Sequence, residues 1–232
     1  MASVFFVLGS ALSMAQSVSP YFGAWIGQSE DGVEGQWIFT EKNFSVAYFK
    51  QAEFLYTAGG YWSAQENGKI KLTWEYDSKN SDRVGQSEDI TAALKGDNLT
   101  LEQKLWKRVD DGSPGQLAGA WLITGRYQDG ELRERIPGAR KTMKILSGSR
   151  FQWIAYNVDT KEFLGTGGGH YTTQDGHYTE HITFFSRDNT RVGASLQFDF
   201  KREGGKWHHQ GLSSKGDPIH EVWTRREHLE GQ

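Results

Sequence analysis

His177-Tyr178-Thr179-Glu180-His181 spells His-x-x-Glu-His, the order of ligands and general base in inverted zinc proteases. That chemistry needs a helix, which brings the first and fifth residues together on the metal and turns the Glu toward the bound water. The run is instead rich in Thr, Tyr, Ile and Phe and favours a strand. On a strand the two histidines share a face about 13 Å apart while Glu180 points to the other side. What survives is a single carboxylate aimed away from the histidines.

That carboxylate belongs to an apolar row. Matching Gly68–Gly85 to Gly176–Gly193 without gaps places Tyr178, Glu180, Ile182 and Phe184 opposite Ile70, Leu72, Trp74 and Tyr76, the inward face of an alternating strand. Glu180 therefore stands where Leu72 stands in the other copy. A buried carboxylate is costly unless paired or protonated, so it needs partners. Alternation along the last strand puts Glu221, Trp223 and Arg225 on one face; Arg225 is the expected partner of Glu180 or Glu221, with Tyr178 and His209 as hydrogen-bonding neighbours. Trp153, Tyr156, Phe198, Phe200 and Trp207 are the expected walls, and aromatic walls favour a flat or apolar ligand.

All seven histidines fall in the second half, at 170, 177, 181, 208, 209, 220 and 228. Strand alternation scatters them, leaving His209 as the interior one, and no metal site is expected. A haem held by His209 or His220 is an alternative, as is an isomerase or hydrolase using Glu180 as acid or base, although no nucleophile motif accompanies it. The glycine run Gly165 to Gly169 suggests a phosphate loop, but no helix pattern follows it. A sharply coiled strand at a bend of the sheet accounts for it better.

The elements that must hold these residues occur twice. Phe54-Leu55-Tyr56-Thr57-Ala58-Gly59-Gly60 returns as Phe163-Leu164-Gly165-Thr166-Gly167-Gly168-Gly169, and Lys79 to Gly85 returns as Arg187 to Gly193. The spacing of roughly 100 residues is too long for a solenoid, so each copy is a domain with its own core. Twenty-eight glycines, four prolines and many aromatics fit short strands and tight turns. The expected fold is all-β: two tandem up-and-down antiparallel barrels of about eight strands each, the first over 16–112 and the second over 117–227, joined by a linker at 113–116 and followed by a polar tail at 228–232.

A Gly-x-Trp on the first strand with an Arg on the last resembles the lipocalin or calycin signature, and it occurs as Gly23, Trp25 and Arg108, then Gly119, Trp121 and Arg225. The second copy is similar to an uncharacterised family of secreted, lipocalin-like bacterial proteins through Gly165 to Gly169, Tyr178-Thr179-Glu180 and Ile219 to Arg225. The resemblance implies a barrel closed by guanidinium–indole stacking and a capacity for small molecules, with no established reaction. The first copy departs from it at Leu72 and lacks the Gly211–Ile219 insertion, which is expected over a barrel mouth.

With no cysteine, the domains are held by packing alone. A net charge of -3 without a basic face argues against nucleic acid, and no polybasic segment marks a membrane surface. Residues 4–15 are apolar and end in Ser13-Met14-Ala15, the pattern of a signal peptide spanning 1–15. The expected protein is periplasmic or secreted, has no cofactor, and binds a small apolar or aromatic molecule chiefly in its second barrel. An envelope interaction module with filled barrels is the alternative.

Overall fold

The structure is a computed structural model describing residues 19–230. The expected signal peptide and the last two residues of the expected tail lie outside that range. The first barrel comprises β1 (Gly23–Gln28), β2 (Glu34–Phe39), β3 (Asn43–Lys50), β4 (Glu53–Ala64), β5 (Lys69–Asp77), β6 (Ser87–Lys95), β7 (Asn98–Leu101) and β8 (Lys104–Asp110). Each strand pairs antiparallel with the next, and β1 with β8 closes the ring. The second comprises β9 (Gly119–Gln128), β10 (Glu131–Glu134), β11 (Arg140–Leu146), β12 (Arg150–Asn157), β13 (Glu162–Gln174), β14 (His177–Phe185), β15 (Ser195–Glu203), β16 (Lys206–Leu212) and β17 (Pro218–Arg225). It closes between β9 and β17, and a five-residue helix, α1 (Arg226–Glu230), follows where a polar tail was expected from 228. No helix among the described residues is long and apolar enough to cross a membrane.

Barrel 2 has a ninth strand because the counterpart of β2 is interrupted. Both β10 and β11 lie along one edge of β9, opposite Gly125–Gln128 and Gly119–Leu122, with Pro137 between them. Proline has no N–H for the ladder, so the strand breaks there.

The Gly-x-Trp motif has a steric basis. Gly23 and Gly119 sit at φ +105° and +131°, and a Cβ would fall 1.9 Å from the Asp110 carbonyl oxygen or 1.6 Å from Arg225 Nη1. The indoles that follow are fully buried, and Trp25 and Trp121 donate to the carbonyls of Tyr21 and Leu117 at 2.9 and 2.8 Å. The Arg108 guanidinium lies 4.0 Å over Trp25, and that of Arg225 lies 4.5 Å over Trp121. These contacts cover one end of each barrel.

The glycine runs coincide with register shifts, between Gly59 and Gly60 and between Gly168 and Gly169. Each is a bulge with one unpaired residue on the facing strand, Glu75 on β5 and Thr183 on β14. A bulge moves every later side chain to the opposite face. Tyr76 and Phe184, expected inside, therefore point out of their barrels into the contact between them.

That contact is extensive and pairs equivalent positions. Tyr76 packs against Tyr156 with ring centroids 4.9 Å apart, and their counterparts Phe184 and Phe49 stack at 5.1 Å. Phe54 meets its own counterpart Phe163, Ser45 bonds its counterpart Gln152, and Gln152 bonds Thr57 and Thr166, which are again equivalent. The two barrels are thus related by an approximate two-fold axis, the arrangement of an isologous dimer within one chain.

Candidate functional site

Lys144 Nζ lies inside barrel 2 and donates to Glu180 Oε1 at 2.7 Å; the Tyr178 hydroxyl donates to the same oxygen at 2.9 Å. Both members of the ion pair are buried, at 5% and 4% exposure. The ammonium stands between the rings of Tyr178, Trp207, Trp223 and Phe198, 5.0 to 5.7 Å from their centroids. Four aromatic faces lower the cost of burying a cation, although removing two charges from water is expensive even when they pair.

From this pair a polar file runs toward the surface. His209 is buried, its ring 5.7 Å from that of Tyr178 and 5.4 Å from Trp207. Its Nδ1 is 3.5 Å from Glu221 Oε2, too far for a hydrogen bond, and neither ring nitrogen has a partner. Burial and the Lys144 charge push the His209 pKa down to about 4, so the ring is neutral at pH 7. Glu221 accepts from Arg126 Nη2 at 2.8 Å, and that arginine is exposed. Burial works to raise the Glu221 pKa, but the Lys144 and Arg126 cations draw the carboxyl below its ordinary range. The indole N–H groups of Trp207 and Trp223 are also buried without partners.

Sequence reasoning brought Tyr178, Glu180, His209, Glu221, Phe198 and Trp207 to one interior, and the structure places them together. Trp153 and Phe200 pack half-buried against that core. Two expectations need correction. Arg225 pairs with neither Glu180 nor Glu221, because it is committed to Trp121 at the covered end; Lys144 and Arg126 take those roles. Tyr156 does not line the interior, because it shares the outer face of β12 with Gln152 and Ile154 and bonds Glu75 of barrel 1 at 3.1 Å. His220, the alternative haem ligand, stacks on Tyr127 at 4.0 Å, and His208 lies beside it. No group of three or more metal-binding side chains occurs among the described residues.

Lys144 is the residue of the candidate site that sequence reasoning missed. It pairs with Trp121 as Trp37 pairs with Trp25, so it replaces an indole just as Glu180 replaces Leu72 and His209 replaces Leu101. Barrel 1 keeps an apolar interior of Trp37, Leu72, Leu101 and Trp106. Its indole nitrogens on Trp37, Trp74 and Trp106 also lack partners, and a cavity of about 480 Å³ opens beside Trp106, Tyr48 and Lys104 at the β1–β2 turn. The Gly211–Ile219 insertion, expected over a barrel mouth, extends the β16–β17 hairpin, in which Gly211 pairs with Ile219 and Leu212 with Pro218, and Arg191 donates to the Ser214 carbonyl in its turn.

A family model described as a domain of unknown function, DUF4488, matches residues 116–230, which is barrel 2 with α1. No curated protein matches the chain.

Proposed function

We propose that the protein is an exported, lipocalin-like binder that takes a small, flat, largely apolar molecule carrying a hydrogen-bond acceptor into barrel 2. The observation that carries this reading is the group of buried, unpartnered nitrogens on Trp207, Trp223 and His209 around the Lys144–Glu180 pair. Buried donors without acceptors cost about 1–3 kcal/mol each, and a bound acceptor would recover that. The aromatic rings supply the apolar walls, and the Arg126–Glu221 pair stands at the outer end of the polar file.

Replacing Glu180 alone would strand a buried ammonium, so the informative variant is the double exchange Lys144→Met with Glu180→Leu, which gives this interior the apolar character of barrel 1. Exchanging a buried pair for apolar groups is neutral or stabilising by about 1–4 kcal/mol, so the variant is expected to fold. Native mass spectrometry of protein purified from its own host is expected to find a small molecule on the wild type and none on the double variant. Equal occupancy in both, or none in either, would reject the barrel 2 site. The cavity beside Trp106 favours a second reading, in which barrel 1 holds the ligand; occupancy lost on Trp106→Phe and kept in the double variant would select it. N-terminal sequencing of the same preparation tests export, with Gln16 the expected first residue.

A further inference from the structure

The approximate two-fold between the barrels gives the seam two equivalent sides, and they are finished differently. On one side Leu122 and Met143 are buried, with Leu229 of α1 packed against their cluster. There Arg226 reaches Glu75, Nη1 to Oε2 at 2.5 Å and Nη2 to Oε1 at 2.7 Å, while Lys141 donates to Oε1 at 2.9 Å. On the other side the equivalent positions are Ile26 and Gln36, and no helix follows β8 as α1 follows β17. Ile26 is 41% exposed where Leu122 is 2%, and Leu105 beside it is 58% exposed.

The uncovered side is a groove of about 470 Å³ lined by Ile26, Leu105, Phe49, Gln36, Thr183 and Arg150, with Lys107 and Glu34 also on its walls. Gln36 is 3% exposed, yet its amide nitrogen has no partner. Arg150 makes no ion pair among the described residues, and its Nε is buried and unpartnered. The carboxylates nearest in influence, Asp110 and Glu34, leave its pKa lowered by burial. The opposite side answers a buried guanidinium with the carboxylate of Glu75; here the equivalent of Glu75 is Thr183, which brings no charge.

We propose that this groove is a second binding site, distinct from the interior of barrel 2, for a small amphipathic carboxylate whose anionic head meets Arg150 and Gln36 and whose apolar part lies over Ile26, Leu105 and Phe49. The volume suits a small molecule. Arginine offers a forked donor matched to a carboxylate, and the buried amide adds another N–H. With Arg150 and Lys107 against Glu34, the site carries one net positive charge to be neutralised.

The test is calorimetric titration with octanoate, using methyl octanoate as the uncharged control. Saturable binding of octanoate to the wild type is expected, with the ester at least tenfold weaker. Arg150→Gln should weaken octanoate at least tenfold and leave the ester unchanged. Leu105→Glu, at an exposed position that does not threaten folding, should weaken octanoate to a similar extent. The Lys144→Met/Glu180→Leu protein should bind octanoate like the wild type, which separates this site from the one inside barrel 2. Absence of saturable binding, affinity unmoved by both Arg150→Gln and Leu105→Glu, or loss of binding confined to the double variant would overturn the proposal.

Discussion

His209 is neutral because burial and the Lys144 ammonium outweigh the two carboxylates that favour its cation. It packs on Phe198, Tyr178 and Trp207, faces the Lys144 ammonium from β11, and has the carboxylates of Glu180 on β14 and Glu221 on β17 as partial compensation. Its pKa of about 4 lies below the ordinary 6.5, so between these values the unfolded chain binds a proton that the folded one does not. Stability attributable to this ring is therefore complete above pH 6.5 and is lost as pH falls toward 4, in an amount of order 3 kcal/mol. His209→Leu, the residue barrel 1 has at position 101, is expected to flatten that part of the profile. Urea midpoints measured from pH 7.5 to 4 on both proteins check it: parallel curves would mean that the histidine is already charged when folded. The same residue explains part of what was legible in the sequence. Glu180 and His209 stood out because each interrupts an apolar row whose counterpart in the other copy is intact, whereas Lys144 lies between Met143 and Ile145 and reads as the exposed position of a one-sided strand.

At the scale of elements, that misreading has a physical cause. Period-two alternation separates two faces of a strand but does not say which is inside when both are buried. Across β3, β5, β11 and β12 the outer face is covered by the other barrel, so Ile145, Ile154 and Tyr156 are as buried as the true interior. The bulges at Gly60 and Gly169 then exchange the faces partway along β5 and β14, which a count of twos cannot follow. Strand order, the hairpins and the Gly-x-Trp closure needed only local pattern and were readable. The role of α1 was not, because a five-residue segment with one apolar residue has no periodicity to detect. Its Arg226 is 1% exposed and bonds Glu75 and Tyr61 as well as Glu230 of its own helix. Burial alone would raise the Glu75 pKa, but Arg226 and Lys141 outweigh it and hold the carboxyl below its ordinary range. Arg226→Met is expected to cost about 3–5 kcal/mol in chemical denaturation, since it leaves Glu75 with Lys141 as its one remaining cation in the cluster. Adding Glu75→Gln should recover much of that loss, and a double-mutant cycle that came out additive would show that the pair does not act as a unit.

At the scale of the whole molecule, the seam behaves as an interface between two copies of one fold, and its polar residues decide which copies can meet. The face of barrel 2 carries Ile145, Ile154, Tyr156, Phe163 and Phe184 around Gln152, an apolar patch that water would not tolerate uncovered. Were barrel 2 to pair with itself through the same two-fold, Tyr156 would meet Phe184 on both sides, Gln152 would face Gln152, and Thr183 would take the place of Glu75 beside Lys141 and Arg226. The same operation sets Lys141 where Glu34 stands beside Arg150 and leaves Lys141 and Arg226 without Glu75, so cations meet across the contact with no carboxylate between them. For barrel 1 the same operation sets Glu75 against Glu34, the counterpart of Lys141, with Val109 where Arg226 would be. Carboxylates gathered in one self-pairing and cations in the other penalise both, and each barrel is left with the other as its favoured partner. Barrel 2 produced alone as residues 116–232 is therefore expected to self-associate more weakly than it pairs with barrel 1. Barrel 1 alone, as residues 16–115, is expected to do the same at pH 7, and the two are expected to form a mixed pair when combined. Sedimentation velocity on each piece and on the mixture decides the matter: a barrel that dimerises alone as readily as it joins the other would mean that the charges at Glu75 and Glu34 do not select the pairing.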